Sequence, residues 1–443
     1  MKLSILAGLS ALLVAGCVQA QAQDADVQTE LASQRARIAE LEKQFAAKPA
    51  NAPFQFPQEL TPYVLIDATL VNTSNNTATG KSKLDFSNSP WFSADRWGLR
   101  GKLDSNVAGL SLIYKLESQF GIGDGGLGTT NVVTAATPAG TTPTNGGTEA
   151  VLFNRDAWVG LGSSSLGQIT IGRQNTLARD FSAIYGDPFG PAPFGYEESG
   201  WTNSNNFKDL VNFAGSVDGS RVNKGMVWKK IMTNGVTMGL AYNLSDDTLV
   251  TPYANNVTQA NTTTRDTTAC VALGYNAKAY NLSAYYTQAN NAGFTQKSYS
   301  VGGNAEVTRK LRLNAGLFRY SADQGPTNGQ RTDNAFSLSA SYAATYIWSY
   351  YLGYQGWKAN KAGLSSATNG NMTMPFANGN TAKAVGSGAR NTTYGAIMRS
   401  LSKRAEVYVC ADYEQLTEDF RLAAANGYRN QTELGIGIRI RAL

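Results

Sequence analysis

Hydropathy alternating with a period of two restricts this chain more than any other property it has. In the run from Glu433 to Arg441, Leu434, Ile436, Ile438 and Ile440 share one face. Glu433, Gly435, Gly437, Arg439 and Arg441 share the other. Successive side chains of a pleated strand point to opposite sides, so this spacing predicts a β-strand and excludes a helix. The pattern recurs along the chain. Leu110, Leu112, Tyr114 and Leu116 oppose Ser111, Lys115 and Glu117, and Val236, Met238, Leu240 and Tyr242 oppose Thr237, Gly239, Ala241 and Asn243. Phe336, Leu338, Ala340 and Tyr342 oppose Ser337, Ser339 and Ser341, while Ala405, Val407, Val409 and Ala411 oppose Glu406, Tyr408, Cys410 and Asp412.

What such strands face depends on where the chain goes. It opens with Lys2, an apolar run from Leu3 to Val14 and small residues after it, the layout of a secretory signal. Two exits fit: cleavage after Ala22 in Ala20-Gln21-Ala22, or lipidation of Cys17 in the lipobox-like Val14-Ala15-Gly16-Cys17. Residues 1–22 are expected to be the signal peptide. No later run reaches the ~20 apolar residues that a spanning helix needs. A hydrophobic content of 42% suits exported strands that are apolar toward lipid and polar toward a wet lumen, because the two faces average out.

The connections between strand-like runs are of two kinds. Short ones fall at Asp104–Asn106, Ser163–Ser165, Thr233–Asn234, Asn276–Lys278, Thr308–Lys310, Thr345 and Ser402–Lys403. Long polar ones fall near residues 73–90, 121–149, 175–218, 244–267, 321–333 and 358–390. Tight turns at one end and long loops at the other are the asymmetry of outer-membrane barrels. The expected fold is therefore an all-β membrane protein, an antiparallel transmembrane β-barrel of about 16 strands over residues 63–443.

Ahead of the barrel, Val27, Leu31, Gln34, Ile38, Leu41 and Phe45 are spaced alternately by four and three, a heptad seam. Residues 23–48 are expected to form a short N-terminal coiled-coil helix that depends on self-association. Residues 49–62, with Pro49, Pro53, Pro57 and Pro62, read as an extended linker.

Several chemistries are ruled out. The chain has no histidine, so Ser-His-Asp triads, Cys-His pairs and His-based metal sites are impossible. No metal-ligand cluster or cofactor motif stands out, and none is expected. A net charge of +6, dispersed along the chain, is too mild for a nucleic-acid partner and suits a lumen that slightly favours anions. Cys270 and Cys410 fall on nearly opposite walls in the expected strand order, beyond disulfide reach.

Charge is concentrated in one early stretch. ADRWGLRG, Ala94–Gly101, places Arg96, Arg100 and Lys102 on one face and Trp97, Leu99 and Leu103 on the other. Three cations on a barrel wall need water or acidic partners, since each would cost several kcal/mol in lipid near the midplane. ADRWGLRGKL followed by GLSLIYKLESQF resembles the second and third strands of the general porins of Gram-negative bacteria. FNRDAWVGLGSSSLGQITIGRQNTLARD, Phe153–Asp180, is similar to their fourth and fifth strands and the entry to their third loop.

The resemblance implies a trimeric outer-membrane channel whose third loop, about residues 175–218 here, folds inward and presents acids to an arginine ladder. The ladder falls on Arg96, on Arg173 within IGRQ, and on Arg221 within GSRVNKGMVW, and Arg100, on the basic face of Arg96, is expected at the constriction beside them. The acids fall on Asp187 within YGDPFG and on Glu197 and Glu198 of FGYEES; a further loop acid is replaced by Pro193. Strict alternation puts Ile169 and Ile171 on the face of Arg173, so a lumenal Arg173 requires a bulge at Gly172. Members of the family usually end in an aromatic residue, whereas this sequence ends Arg441-Ala442-Leu443.

The expected function is passive diffusion of small hydrophilic solutes and ions, with a mild preference for anions. The expected partners are two further copies in a homotrimer, outer-membrane lipid and lipopolysaccharide, and peptidoglycan touched through a periplasmic N-terminal helix. Two alternatives stand beside it. One is a substrate-selective anion channel, and the other is a structural tether anchored to lipid through Cys17.

Overall fold

The structure is a computed structural model. It describes residues 60–77, 79–87, 91–105, 107, 109–123, 125–126, 152–186, 205–211, 221–243, 247–249, 263–265, 267–291, 294–323, 329–362, 373–375, 381–383, 386–422 and 427–442. The expected signal peptide, the heptad helix and residues 49–59 of the linker lie outside the described residues. The first strand begins at Leu60, three residues before the expected barrel start, so Pro62 sits near a strand start where proline is tolerated.

The wall is built from β1 (Leu60–Thr73), β2 (Lys83–Ser87), β3 (Arg96–Asp104), β4 (Ser111–Gln119), β5 (Asp156–Ser163) and β6 (Gly167–Asn175). It continues through β7 (Arg221–Ile231) and β8 (Val236–Asn243). After the small loop hairpin of β9 (Asp247–Leu249) and β10 (Thr263–Arg265), it resumes with β11 (Thr267–Asn276), β12 (Tyr280–Asn291) and β13 (Phe294–Glu306). Next come β14 (Leu311–Asp323), β15 (Gln330–Ala343) and β16 (Trp348–Ala362). Beyond the loop strands β17 (Thr373–Pro375) and β18 (Thr381–Lys383), β19 (Gly386–Ser402), β20 (Ala405–Leu416) and β22 (Asn430–Ala442) complete it; β21 (Arg421–Leu422) pairs with β18.

Each wall strand pairs antiparallel with its neighbour, and β1 pairs with β22 from Val64↔Ala442 to Thr73↔Glu433, which closes the sheet. β2 and β3 share one position: β1 meets β3 over Leu60–Leu65 and β2 over Thr69–Thr73. Counted that way the barrel has 16 strand positions, as the alternation predicts. The β1–β22 seam joins the two terminal strands of the sheet along ten partners, and closure of this kind is what allows strands to span a bilayer. Among the described residues no helix is long and apolar enough to cross a membrane.

All seven expected short turns fall at the end where β1 starts and β22 finishes. The long connections fall at the other, where β12 also ends and β13 begins. The barrel is inverted relative to a water-soluble core. Leu434 and Ile436 are 56% and 59% exposed on the outside, while Glu433 and Arg439 are 2% and 1% exposed on the inside. Cys270 on β11 and Cys410 on β20 are both buried and not joined in a disulfide, seven strand positions apart.

Candidate functional site

The third loop leaves β6 at Asn175 and rejoins the wall at Arg221, and it enters the lumen at once. The Thr176 side chain caps the short helix Leu177–Ser182 by accepting a hydrogen bond from the Arg179 backbone N–H at 3.2 Å. Leu177, Phe181, Ile184 and Tyr185, all 0% exposed, form an apolar stripe laid on the inner wall. Polar anchors fix its course. Ser283 Oγ donates to the Phe181 carbonyl at 2.7 Å, Asn304 Nδ2 donates to the Ile184 carbonyl, and Ser339 Oγ donates to the Gly186 carbonyl at 3.3 Å.

Tyr185 shows why the loop can lie so close. Gly302 on β13 and Gly316 on β14 face each other across the ladder, and a Cβ on either would come within 2.4 Å of the Tyr185 ring. Only glycine leaves that seat open. The Tyr185 hydroxyl bonds Ser300 Oγ, and burial pushes its phenol well above the ordinary range, so it stays neutral. Further along, the helix Asn205–Leu210 reaches another sector of wall. There Asn206 Nδ2 donates to Asp412 at 2.8 Å, and Gln355 Nε2 donates to the Asn206 carbonyl at 2.8 Å.

Opposite this loop runs a wall rich in charge. Glu117 on β4 is 1% exposed and gathers cations from four places. Arg155 Nε donates to it, Lys115 Nζ lies 3.3 Å away, Arg221 Nη2 3.7 Å and Arg96 Nη1 3.9 Å. The Tyr63 hydroxyl donates to it at 2.7 Å. Asp156 on β5 takes Lys115 and, at 3.5 Å, Arg221 Nε. Arg96 and Arg221 are thus brought together, and Arg100 stands beside them with its guanidinium 5.7 Å from the Tyr63 ring centre.

Arg173 is held elsewhere. The β6–β7 register shifts between Gly172 and Gln174, but one residue of β6 there opposes two of β7, so the extra residue lies on β7 and β6 keeps its alternation past Gly172. Gln174 beyond it lines the lumen, while Arg173 donates to the Asn154 carbonyl at 2.7 Å and to Asn223 Oδ1. Asp187, Glu197 and Glu198 lie outside the described residues. A loop acid that is described, Asp180, pairs with Lys229 of β7. Sequence reasoning named neither, nor Arg155 and Asp156 as part of the site, although both stand inside the FNRDAW run that carries the family resemblance.

Between the loop and this wall lies a cavity of about 900 Å³. Its lining includes six basic side chains, Arg96, Arg100, Lys102, Lys115, Lys229 and Arg441, against three carboxylates, Glu117, Asp156 and Asp180. Tyr63 and Trp158 add aromatic surface. Low-dielectric walls carrying mostly one sign of charge focus their field into the opening.

The comparisons with known proteins agree with this architecture. An anion-selective porin from Comamonas acidovorans superposes with a TM-score of 0.60 at 16% identity, covering 86% of this chain and 99% of that one. OmpF of Salmonella typhi superposes with a TM-score of 0.51 at 14% identity, covering 86% and 97%. An outer membrane porin protein of Bordetella pertussis is 28% identical over 220 residues, 47% of this chain and 48% of that protein. The match thus spans about half the length of that relative. The family model described as Gram-negative porin matches residues 9–419. Porins are channel proteins and not enzymes, and this chain, matched over most of its length, belongs to the Gram-negative porin family.

Proposed function

We propose that the protein is a passive diffusion channel of the Gram-negative outer membrane for small hydrophilic solutes and ions, with a mild preference for anions. The observation that carries this reading is the six-to-three excess of cations over carboxylates among the described residues that line the 900 Å³ cavity. Buried Glu117 and Asp156 hold cationic side chains in place without cancelling them, so an anion in transit meets fixed charge and needs no tight binding site. The fold likeness to a porin called anion-selective supports the same sign.

The assembly is proposed as a homotrimer embedded in outer-membrane lipid and lipopolysaccharide, with residues 23–48 forming a periplasmic bundle against peptidoglycan. A Vibrio cholerae OmpT structure described as a trimer form shares the fold, with a TM-score of 0.52. Tyr63 and Trp158 in the lining favour a second reading, a channel with a weak site for organic anions. Block by such an anion at low concentration would distinguish it from simple diffusion.

The deciding experiment is single-channel recording in a salt gradient. Reversal on the anion side is expected, and Arg100→Glu, which reverses one half-buried lining charge, should move it toward the cation side. Reversal on the cation side in the unaltered protein would sink the anion preference.

A further inference from the structure

We propose that residues Trp91–Asp95, at the break between β2 and β3, form a second pore-narrowing insert that works with the third loop to confine passage to the basic wall. The inference rests on the channel reading above.

The break is a surplus of chain. Counting the register, three β1 residues, 66–68, lie between the last partner of β3, Leu65↔Arg96, and the first partner of β2, Thr69↔Ser87. Eight residues, 88–95, separate β2 from β3 in sequence, and the described ones, Trp91–Asp95, lie outside the strands. Its direction is fixed by contact. Trp91 and Phe92 are 2% and 0% exposed. Phe92 meets Tyr408 edge-on at 4.6 Å and lies under the Arg439 guanidinium at 5.0 Å, and Trp91 meets Tyr394 at 6.3 Å. These wall partners alternate with outward-facing Val409, Ile438 and Ile397, so the insert lies on the lumenal side.

The insert is pinned. The Ser93 N–H donates to Asp67 Oδ2 at 2.8 Å, and the Tyr408 hydroxyl donates to Asp67 Oδ1 at 2.6 Å. The Asp67 N–H, which has no ladder partner on β2 or β3, donates to Asp95 Oδ1 at 2.6 Å. The broken strand is thereby satisfied at its gap, and the fold there is built rather than frayed.

Taken together, the third loop lies on β8 and β11–β15, its second helix bonds β16, β19 and β20, and the insert occupies the lumenal face of β19, β20 and β22. The 900 Å³ cavity lies against β1 and β3–β7. A solute is therefore steered along Arg96, Arg100, Lys115 and Lys229 rather than down the barrel axis.

Ala94 provides the test, being half-exposed and two residues before lumenal Arg96. In Ala94→Cys channels, membrane-impermeant thiosulfonate reagents should lower the conductance stepwise. A cationic adduct should raise the anion preference and an anionic one should lower it. The unaltered protein, whose Cys270 and Cys410 are buried, should not respond. As a second arm, Trp91→Ala with Phe92→Ala should raise conductance about 1.5-fold by widening the pore. Folding is checked by heat-modifiable gel mobility; if the double variant fails to fold, the cysteine arm decides alone. Conducting Ala94→Cys channels that are fully labelled without a change in current, or that cannot be labelled, would overturn the insert. An unaltered protein that carries no current would overturn the channel reading as well.

Discussion

Arg96, Lys115, Arg155 and Arg221 bring four cationic nitrogens to one carboxylate, and the second carboxylate beside it, Asp156, is shared by two of them. Glu117 therefore acts as a clasp, and its removal leaves buried positive charges facing each other. Glu117→Gln is expected to destabilise the barrel by about 3–5 kcal/mol, the usual cost of breaking a buried pair from one side. The loss would be read from the temperature at which heat-modifiable mobility is lost, and surviving channels should show stronger anion preference. An unchanged transition temperature would show that the cations relax into water instead. At this scale the sequence was half legible. Arg96 and Arg221 could be named from local motifs, but Glu117 was visible only as one member of a polar face. What makes it central is four strands converging, which no linear spacing records. Arg173 illustrates the converse: its strand parity and its motif pointed opposite ways, and the parity held, because the extra residue of the β6–β7 bulge sits on β7.

The third loop is an element whose position is set by what lies under it. Leu177, Phe181 and Tyr185 need an apolar, close-packed bed, and Gly302 with Gly316 provides the closest part of it. Gly316→Ala is expected to push Tyr185 off its seat at a cost of about 1–3 kcal/mol, typical of overpacking. The barrel should still form, while single-channel traces become noisier as the loop loses its footing; traces as quiet as before would show that Tyr185 has room to tilt. The loop was predictable from its length and from resemblance. Its seat was not, because a glycine within a strand indicates only that something approaches closely. The break between β2 and β3 was equally hidden, since residues 88–95 are few enough to pass for ordinary loop.

The whole molecule was the most legible level. Strand number, turn placement and the side on which Arg439 lies follow from a period of two, because a barrel imposes that period everywhere. One consequence is a sharp difference between neighbouring positions. Leu338, 52% exposed on the outer face of β15, is expected to lose about 2–4 kcal/mol on substitution by lysine if it lies at the bilayer midplane. Reversible unfolding in lipid vesicles would measure it, and a loss below that range would place Leu338 near the interface.

The seam between β1 and β22 has a bearing on timing. It joins residues 64 and 442, nearly the two ends of the described chain, along ten consecutive partners. Contacts that distant form late, because a long loop must close before they repay its entropy. Until then both edge strands expose unpaired amides that hydrocarbon cannot solvate. The protein is thus incomplete in lipid until its last strand is in place, so insertion and final strand pairing must be one concerted event rather than successive stages.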